Sequence, residues 1–272
     1  MSIKSTLASV AKKVAPGFYW SRKIKQFKAH FSEVEMRLLP FLCKTDKTSI
    51  DIGAAGGVYI ANLLDISKDV IGFEPIPADA KVLQAMVEST NSKAVIERVA
   101  LSDKAGETIL RMIVNDSGRS TIEESNDLSD DATEKTGIKV QIRKLDDFNY
   151  NNVGFIKIDV EGHELSVLHG GRETIKRNLP ALLIEIEDRH KLNAVKDVPA
   201  FLKELGYSSF FILKGKLTPM EEFKLSVHQD SNNIGTYLDN YERKGIYINN
   251  FIFVHERDVN KFMKDAQSVT LS

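Results

Sequence analysis

The sequence predicts an α/β fold in which a mostly parallel sheet is covered by helices, and three observations carry that prediction. From Ser49 onward, short apolar runs alternate with longer stretches of helical period. Several of these runs, SIDIG, VIGFEP and VGFIKIDVEG, end in a carboxylate beside a glycine or proline. A glycine-rich turn follows the first run and leads directly into a helical pattern.

Bulk properties narrow the class. The 272 residues, 42% of them hydrophobic, suffice for one continuous core. The 38 acidic residues nearly cancel the 37 basic ones, which excludes a general phosphate-backbone binder, so no nucleic-acid partner is expected. A single cysteine, Cys43, excludes an intrachain disulfide and a cysteine-rich metal centre, and reads as a small, partly buried hydrophobe. No apolar run has the length of a bilayer span, and MSIKSTLASVAKKVAPG lacks the apolar block of a signal peptide, so a cytoplasmic location is expected.

Residues 1–32 hold seven basic residues and no acidic one, with Leu7, Val10, Phe18, Trp20, Ile24 and Phe27 spaced mostly by three or four. That spacing predicts two helical segments broken near Ala15, Pro16 and Gly17, within a helical extension over 1–47 that precedes a domain over 48–272. Interleaved aromatic and basic residues also suit peripheral contact of this extension with an anionic membrane surface.

SIDIG reads as the first strand, VYIANLLDI as a helix, DVIGFEP as a second strand, PADAKVLQAMVEST as a helix and KAVIERVAL as a third strand. GETILRMIV and IKVQIRKL alternate like exposed strands, and the EESNDLSDDATE between them, with six carboxylates and no base, reads as a solvated, mobile loop. VGFIKIDVEG is a buried strand, ELSVLHGGRETIKRN a helix, PALLIEIED a strand and VPAFLKELGY a helix. SSFFILKG and NNFIFVHE close the domain as two strands separated by a long excursion.

The turn after the first strand reads Gly53-x-x-Gly56-Gly57, with Ala54 and Ala55 where a dinucleotide fingerprint would need different spacing, and no phosphate-loop Gly-Lys-Ser/Thr follows. Asp51, two residues before Gly53, would repel a pyrophosphate yet favour a ligand bearing an ammonium or sulfonium. The glycines admit close backbone approach. Together these features suit a cationic nucleoside, and S-adenosylmethionine is the common cofactor of that kind. Glu74, at the tip of the second strand, is placed to accept hydrogen bonds from both ribose hydroxyls. Pro75 follows it, Ala100, Leu101 and Ser102 are expected to line the base, and Asp103 offers an acceptor to its exocyclic amine.

SIDIGAAGG, VIGFEPIP, RVALSDKAGE, GRSTI, KLDDF, GFIKIDVEGHELSVLHGG and PALLIEIE occur in an order and spacing that resembles the FkbM-type S-adenosylmethionine-dependent methyltransferases, over about residues 45–210. IKIDVEGHELSVLHG is the most distinctive of these stretches. The resemblance implies a Rossmann-like class I methyltransferase fold, a seven-stranded sheet whose last strand is antiparallel, and methyl transfer to hydroxyl oxygens of sugars or natural products. LTPMEEFKLSVHQDSNNIGTYLDNYERKG and the basic extension lie outside it and are expected to govern acceptor choice.

In an open α/β sheet the ligand lies beyond the carboxyl ends of the strands, which gathers Asp51, Glu74, Asp159, Glu161, Glu187 and His190 around one cleft. Methyl transfer needs the acceptor lone pair held in line behind the methyl carbon, and an alcohol needs a base to take its proton. Asp159 is the first candidate for contact with the reacting region, and for the cofactor as well. His163 or His190 would assist. Arg119, Ser120, Glu161 and Glu187 are candidates for acceptor binding, Arg119 through its planar fork. Asp159, Glu161, Glu187, Asp188 and His190 supply hard ligands but follow no compact metal loop, so no metal is expected.

The reading is thus a methyltransferase acting on a hydroxyl of a sugar, glycan or glycosylated natural product. The alternatives are an N-methyltransferase on a small molecule and a non-catalytic nucleoside-binding protein. An NAD-dependent oxidoreductase is disfavoured by Ala54-Ala55. A homo-oligomer is compatible with the sequence.

Overall fold

A computed structural model describes residues 12, 14–29, 33–114, 116–128, 134–235 and 244–271. Most of the first basic segment, and residues 129–133 of the acidic loop, lie outside the described residues.

Along the chain come helix α1 (Pro16–Ala29), the short helix α2 (Leu39–Leu42), strand β1 (Thr48–Ile52), α3 (Val58–Leu63), β2 (Val70–Phe73), α4 (Pro77–Thr90), β3 (Ala94–Glu97) and β4 (Ala100–Leu101). The middle contributes β5 (Gly106–Ile113), β6 (Asp116–Thr121), β7 (Lys135–Arg143), β8 (Val153–Ile158), α5 (Glu164–Gly170), α6 (Arg172–Asn178) and β9 (Ala181–Glu185). The last part holds α7 (Ala194–Glu204), β10 (Tyr207–Leu213), β11 (Lys216–Pro219), α8 (Leu225–His228), β12 (Asn250–His255) and α9 (Glu256–Ala266).

The main sheet has the order β11-β10-β12-β9-β8-β1-β2-β3. Pairings from β3 through β9 are parallel, and β12 runs antiparallel to both β9 and β10. This sheet has eight strands where seven were expected. The eighth, β11, folds back on β10 through Lys214 (φ 49) and Gly215 (φ 76), a two-residue hairpin turn with both residues left-handed. The run KAVIERVAL is not one strand. Its first half is β3, whereas Ala100–Leu101 leaves the main sheet to join a second sheet of order β4-β7-β5-β6.

Alternation along β1 and β8 divides the core. Ile50, Ile52, Ile156 and Ile158 pack with Val167, Leu168, Val198 and Leu202 from the helices on one face. On the other face Phe155, Leu183 and Ile252 pack with Tyr59, Leu83, Met86 and Phe262. Trp20 (4% exposed) and Ile24 belong to this second core, so α1 buries its apolar stripe against α3 and α4. The helix begins at Pro16, immediately after the non-helical Ala15, as a first-turn proline should. Cys43 is buried, which pushes its thiol up to about 12. Among the described residues no helix is long and apolar enough to cross a membrane.

Candidate active site

Beyond the carboxyl ends of β1, β2 and β8 lies a cleft whose floor includes Gly53, Ala55, Glu74, Pro75, Asp159 and Glu161. Val99, Ala100 and Leu101 close one end, and the second sheet covers it with Leu110 and with Ser117, Gly118, Ser120, Thr121 and Ile122 of β6 and its continuation.

Glu74 is 3% exposed, and each of its carboxylate oxygens is already held by a backbone N–H: Ala55 N donates to Oε2 and Ile76 N to Oε1, both at 2.8 Å. Each oxygen keeps a second lone pair, which suits a vicinal diol such as a ribose. Burial raises the Glu74 carboxyl to about 7 against the pull of those two N–H groups. Gly53 has φ 83, and a Cβ there would lie 1.8 Å from the Asp159 carbonyl oxygen, so this glycine is required by the close approach of β1 and β8. Gly57, with φ 80, would drive a Cβ to 2.7 Å from Leu83, whereas Gly56 meets nothing within 4 Å. Asp51 sits one strand residue below the cleft, beside Lys157 in the β1–β8 register, with its Oδ2 buried and unpartnered. Burial pushes it up to about 7 despite the Lys157 ammonium.

The loop after β8 carries most of the titratable side chains. Glu161 is left-handed at φ 53 and is followed by Gly162 at φ 102, where a Cβ would press on His190 at 3.1 Å. A non-glycine residue in that conformation costs on the order of 1 kcal/mol or more. Thr121 Oγ1 and Asn126 Nδ2 both donate to the Glu161 carbonyl at 2.8 Å and hold the turn. The Glu161 side chain meets His190, with Nδ1 to Oε2 at 3.0 Å. Burial alone would lower the His190 ring, but the Glu161 bond and charge, with Glu187 behind them, raise it. The His190 Nε2 has no partner among the described residues.

His163 is placed differently. Its Nδ1 lies 3.3 Å from Glu123 Oε2 and its Nε2 2.9 Å from Ser102 Oγ. Lys191 binds the other Glu123 oxygen at 2.7 Å. Burial works against the Glu123 charge, but its bonds to Lys191, Ser125 and His163 hold it down at about 2. A carboxylate at Nδ1 fixes the proton there and leaves Nε2 to accept from Ser102, so both ring nitrogens are engaged. Burial outweighs Glu123 and lowers the His163 pKa. His163 lines the cleft as a strut between its loops, with no nitrogen left for an acceptor proton.

The match to known proteins falls on this frame. A family model described as "Methyltransferase FkbM domain" matches residues 51–209, which contain the strand ends, the glycine turn and the loop after β8. The chain belongs to the FkbM methyltransferase family. Its domain is that of an S-adenosylmethionine-dependent methyltransferase, and the remaining lone pairs of the Glu74 carboxylate are chemically suited to the ribose diol of that cofactor. Among solved structures it is similar to the methyltransferase FkbM of Methylobacillus flagellatus KT at 16% identity and TM-score 0.49, over 77% of this chain and 44% of that one. This chain therefore spans less than half of that protein. An rRNA methylase of Streptococcus thermophilus is 13% identical, with TM-score 0.42, over 68% of this chain and 89% of that one. A putative methyltransferase of Streptococcus mutans, solved with S-adenosylhomocysteine, is 12% identical at the same TM-score, over 68% and 91% of the two chains. No curated protein matches significantly.

Within this FkbM methyltransferase domain, Gly53, Glu74, Pro75, Ala100, Leu101, Ser120, Asp159, Glu161 and His163 line the cleft. Asp51, Ala54, Gly56, Gly57 and Ser102 do not line it: Ala54 and Ser102 are buried, and Ser102 reaches the site only through His163. Arg119 does not line it either, because its Nε donates to Asp116 Oδ2 at 2.7 Å. Glu187 accepts from Arg189 Nε at 2.5 Å and from the Tyr247 hydroxyl. Burial would raise that carboxyl, but Arg189 holds it at about 2, and its oxygens are committed to these partners. The acidic loop is not simply solvated: Glu123, Asn126 and Leu128 are buried and tied to Arg111, His163 and Glu161. Sequence reasoning passed over Ala55, whose N–H orients Glu74, and Ser117, Gly118 and Thr121, because β6 carries no apolar alternation. Among the described residues no group of three or more His, Cys, Asp or Glu is placed to hold a metal ion.

Proposed function

We propose that the protein transfers a methyl group to a hydroxyl of a sugar or a glycosylated small molecule. The observation that carries this reading is the His190–Glu161 pair at 3.0 Å. Glu161 lines the cleft and accepts a hydrogen bond from His190 Nδ1–H, while His190 stands behind it, outside the cleft lining, and keeps Nε2 as an acceptor. When bound, S-adenosylmethionine supplies an electrophilic methyl on a sulfonium. A hydroxyl attacking that carbon must lose a proton, and a neutral imidazole backed by a carboxylate is the side chain suited to take it. An amine has a free lone pair once neutral and gains less from such a base, which favours oxygen over nitrogen. Ser117 and Ser120 along β6 add small hydroxyl groups opposite the acidic floor, a lining that complements a polyol.

Isotope-labelled methyl transfer into a carbohydrate and glycoside panel, with the linkage identified by fragmentation, tests the acceptor. His190→Asn is expected to lower kcat by about 100-fold or more with little change in the cofactor KM. Glu161→Gln should move the acidic limb of the pH–rate profile downward, because removing the carboxylate lowers the His190 pKa and keeps the base neutral to lower pH. An N-methylated product, or a His190→Asn variant of full activity, would refute the assignment.

A further inference from the structure

Helix α1 has two faces, and packing in the fold accounts for one of them. Trp20 and Ile24 are buried against α3 and α4, with Phe27 packed partly beside them. Phe18, Arg22, Lys25 and Ala29, spaced by four, three and four, run along the opposite side and are exposed. Phe18 is 70% exposed, and Val14, just before the helix, 79%. Single apolar residues scattered over a surface need no explanation, but these two are among the three most exposed large hydrophobic residues described, and they stand four positions apart beside unpaired cations.

The helix carries Arg22, Lys23, Lys25 and Lys28 and no acidic residue. Lys28 pairs with Asp65 at 2.6 Å, and Lys23 lies over the Phe27 ring at 4.8 Å. Arg22 and Lys25 make no ion pair among the described residues. Seven of the 37 basic residues of the chain and none of its 38 acidic ones fall within residues 1–32, so the remainder is net negative. An anionic surface therefore attracts this face and repels the rest, which fixes an orientation. A phosphate backbone would use the cations and leave Phe18 and Val14 in water. A lipid surface uses both, because the apolar side chains reach the acyl boundary while the cations meet anionic headgroups.

We propose that the Phe18–Arg22–Lys25 face of α1 docks the protein peripherally on an anionic lipid membrane. The start of α1 lies at the far end of α4 from the cleft: a Cβ on Gly17 would stand 3.0 Å from the Ser89 carbonyl oxygen, whereas Glu74 and Pro75 of the cleft immediately precede the other end of α4. The helix between Pro77 and Ser89 is about 18 Å long. Docking through Phe18 thus sets where the protein sits and leaves the donor site untouched, and nothing in this contact depends on which acceptor the cleft takes.

The test is sedimentation of the full chain with vesicles of pure phosphatidylcholine and of equimolar phosphatidylcholine and phosphatidylglycerol, at about 0.1 M salt. The unaltered protein should partition onto the anionic vesicles and not onto the neutral ones. The double variant Arg22→Gln, Lys25→Gln should lose about 20-fold in partitioning, close to fivefold for each cation removed from an anionic surface. Phe18→Ser should lose about 10-fold, the worth of burying part of one aromatic side chain. All three positions are exposed, so both proteins should melt with the unaltered one and bind S-adenosylhomocysteine within about two-fold of it, with or without vesicles. Equal partition onto neutral vesicles, or variants that sediment like the unaltered protein, overturn the docking face. Partition that falls with the two cations but ignores Phe18→Ser overturns insertion into lipid and leaves a charge contact that any polyanion could make. Loss of S-adenosylhomocysteine binding when vesicles are added would put the contact at the cleft mouth and likewise overturn it.

Discussion

Replacing Glu74 by glutamine separates what this side chain does for the ligand from what it does to the fold. The carboxylate is almost wholly buried, bonded among the described residues to the Ala55 and Ile76 amides, and burial raises it from 4.5 to about 7. A carboxyl raised on folding is most favourable below its unfolded value, and the stability it contributes is lost as pH rises through the folded one. For Glu74 the loss between pH 4.5 and about 7 amounts to about 3 kcal/mol. Glutamine does not titrate, so the stability of Glu74→Gln relative to the unaltered protein should improve by about that amount across the same window. The amide also places an NH2 group against one of the two backbone N–H donors, a penalty of about 1–3 kcal/mol that does not vary with pH. Ligand binding moves the other way: one hydroxyl bond to a charged acceptor is lost, worth about 1.5–3 kcal/mol, or about 10- to 150-fold in Kd for S-adenosylhomocysteine. Urea denaturation of the ligand-free protein at several pH values, with calorimetric titration at one, reads both quantities. Parallel stability-versus-pH curves for the two proteins would show that Glu74 is not buried as a charge, and an unchanged Kd would remove it from the ribose site.

The glycine turn yields a contrast within four residues. Gly53→Ala forces a Cβ to 1.8 Å from a backbone carbonyl at φ 83 and should prevent folding, whereas Gly56→Ala, with nothing within 4 Å, should leave the thermal midpoint within about 2 °C. Circular dichroism melts of the two variants decide this, and a stable Gly53→Ala protein would contradict the β1–β8 contact. Trp20→Ala removes a side chain that is 4% exposed in the α1–α4 core and should cost about 3–5 kcal/mol by chemical denaturation. A cost under about 0.5 kcal/mol would mean that α1 is a detachable appendage.

The parallel half of the fold was legible because its strands are short, mostly apolar runs that end in acids beside a glycine or proline, so SIDIG, VIGFEP and VGFIKIDVEG announce both the strand and the site. Other parts were hidden for physical reasons. The sequence of β6, DSGRST, has no alternation, and its burial comes from the cleft and from β5. The C-terminal α9 has only Phe262 and Ala266 buried, with Val259 and Met263 packed partly against the core, so its stripe is too narrow to stand out among charges. Position along a strand also says nothing about what else a side chain meets. Glu187 and His163 stand at strand or loop ends, yet Arg189 with Tyr247, and Glu123 with Ser102, have claimed their polar atoms, and Arg119 turns its Nε to Asp116.

The same burial that makes Asp51 and Glu74 costly couples donor binding to pH. Both carboxyls are pushed to about 7; hydrogen bonds from the ribose hydroxyls at Glu74, and the positive charge of the donor near Asp51, would favour the ionised form. Binding should therefore release protons, and affinity should rise with pH. For each carboxyl that changes from about 7 to well below 6 on binding, the Kd for S-adenosylhomocysteine should fall by about 10-fold between about pH 6 and about pH 8. Calorimetry in buffers of different ionisation enthalpy counts the released protons directly. Glu74→Gln should abolish its own share of the pH slope while Asp51 keeps the rest, because the glutamine has no proton to give. A Kd that is flat across this range would mean that neither carboxyl changes its protonation when the donor binds, and would refute donor contact with both.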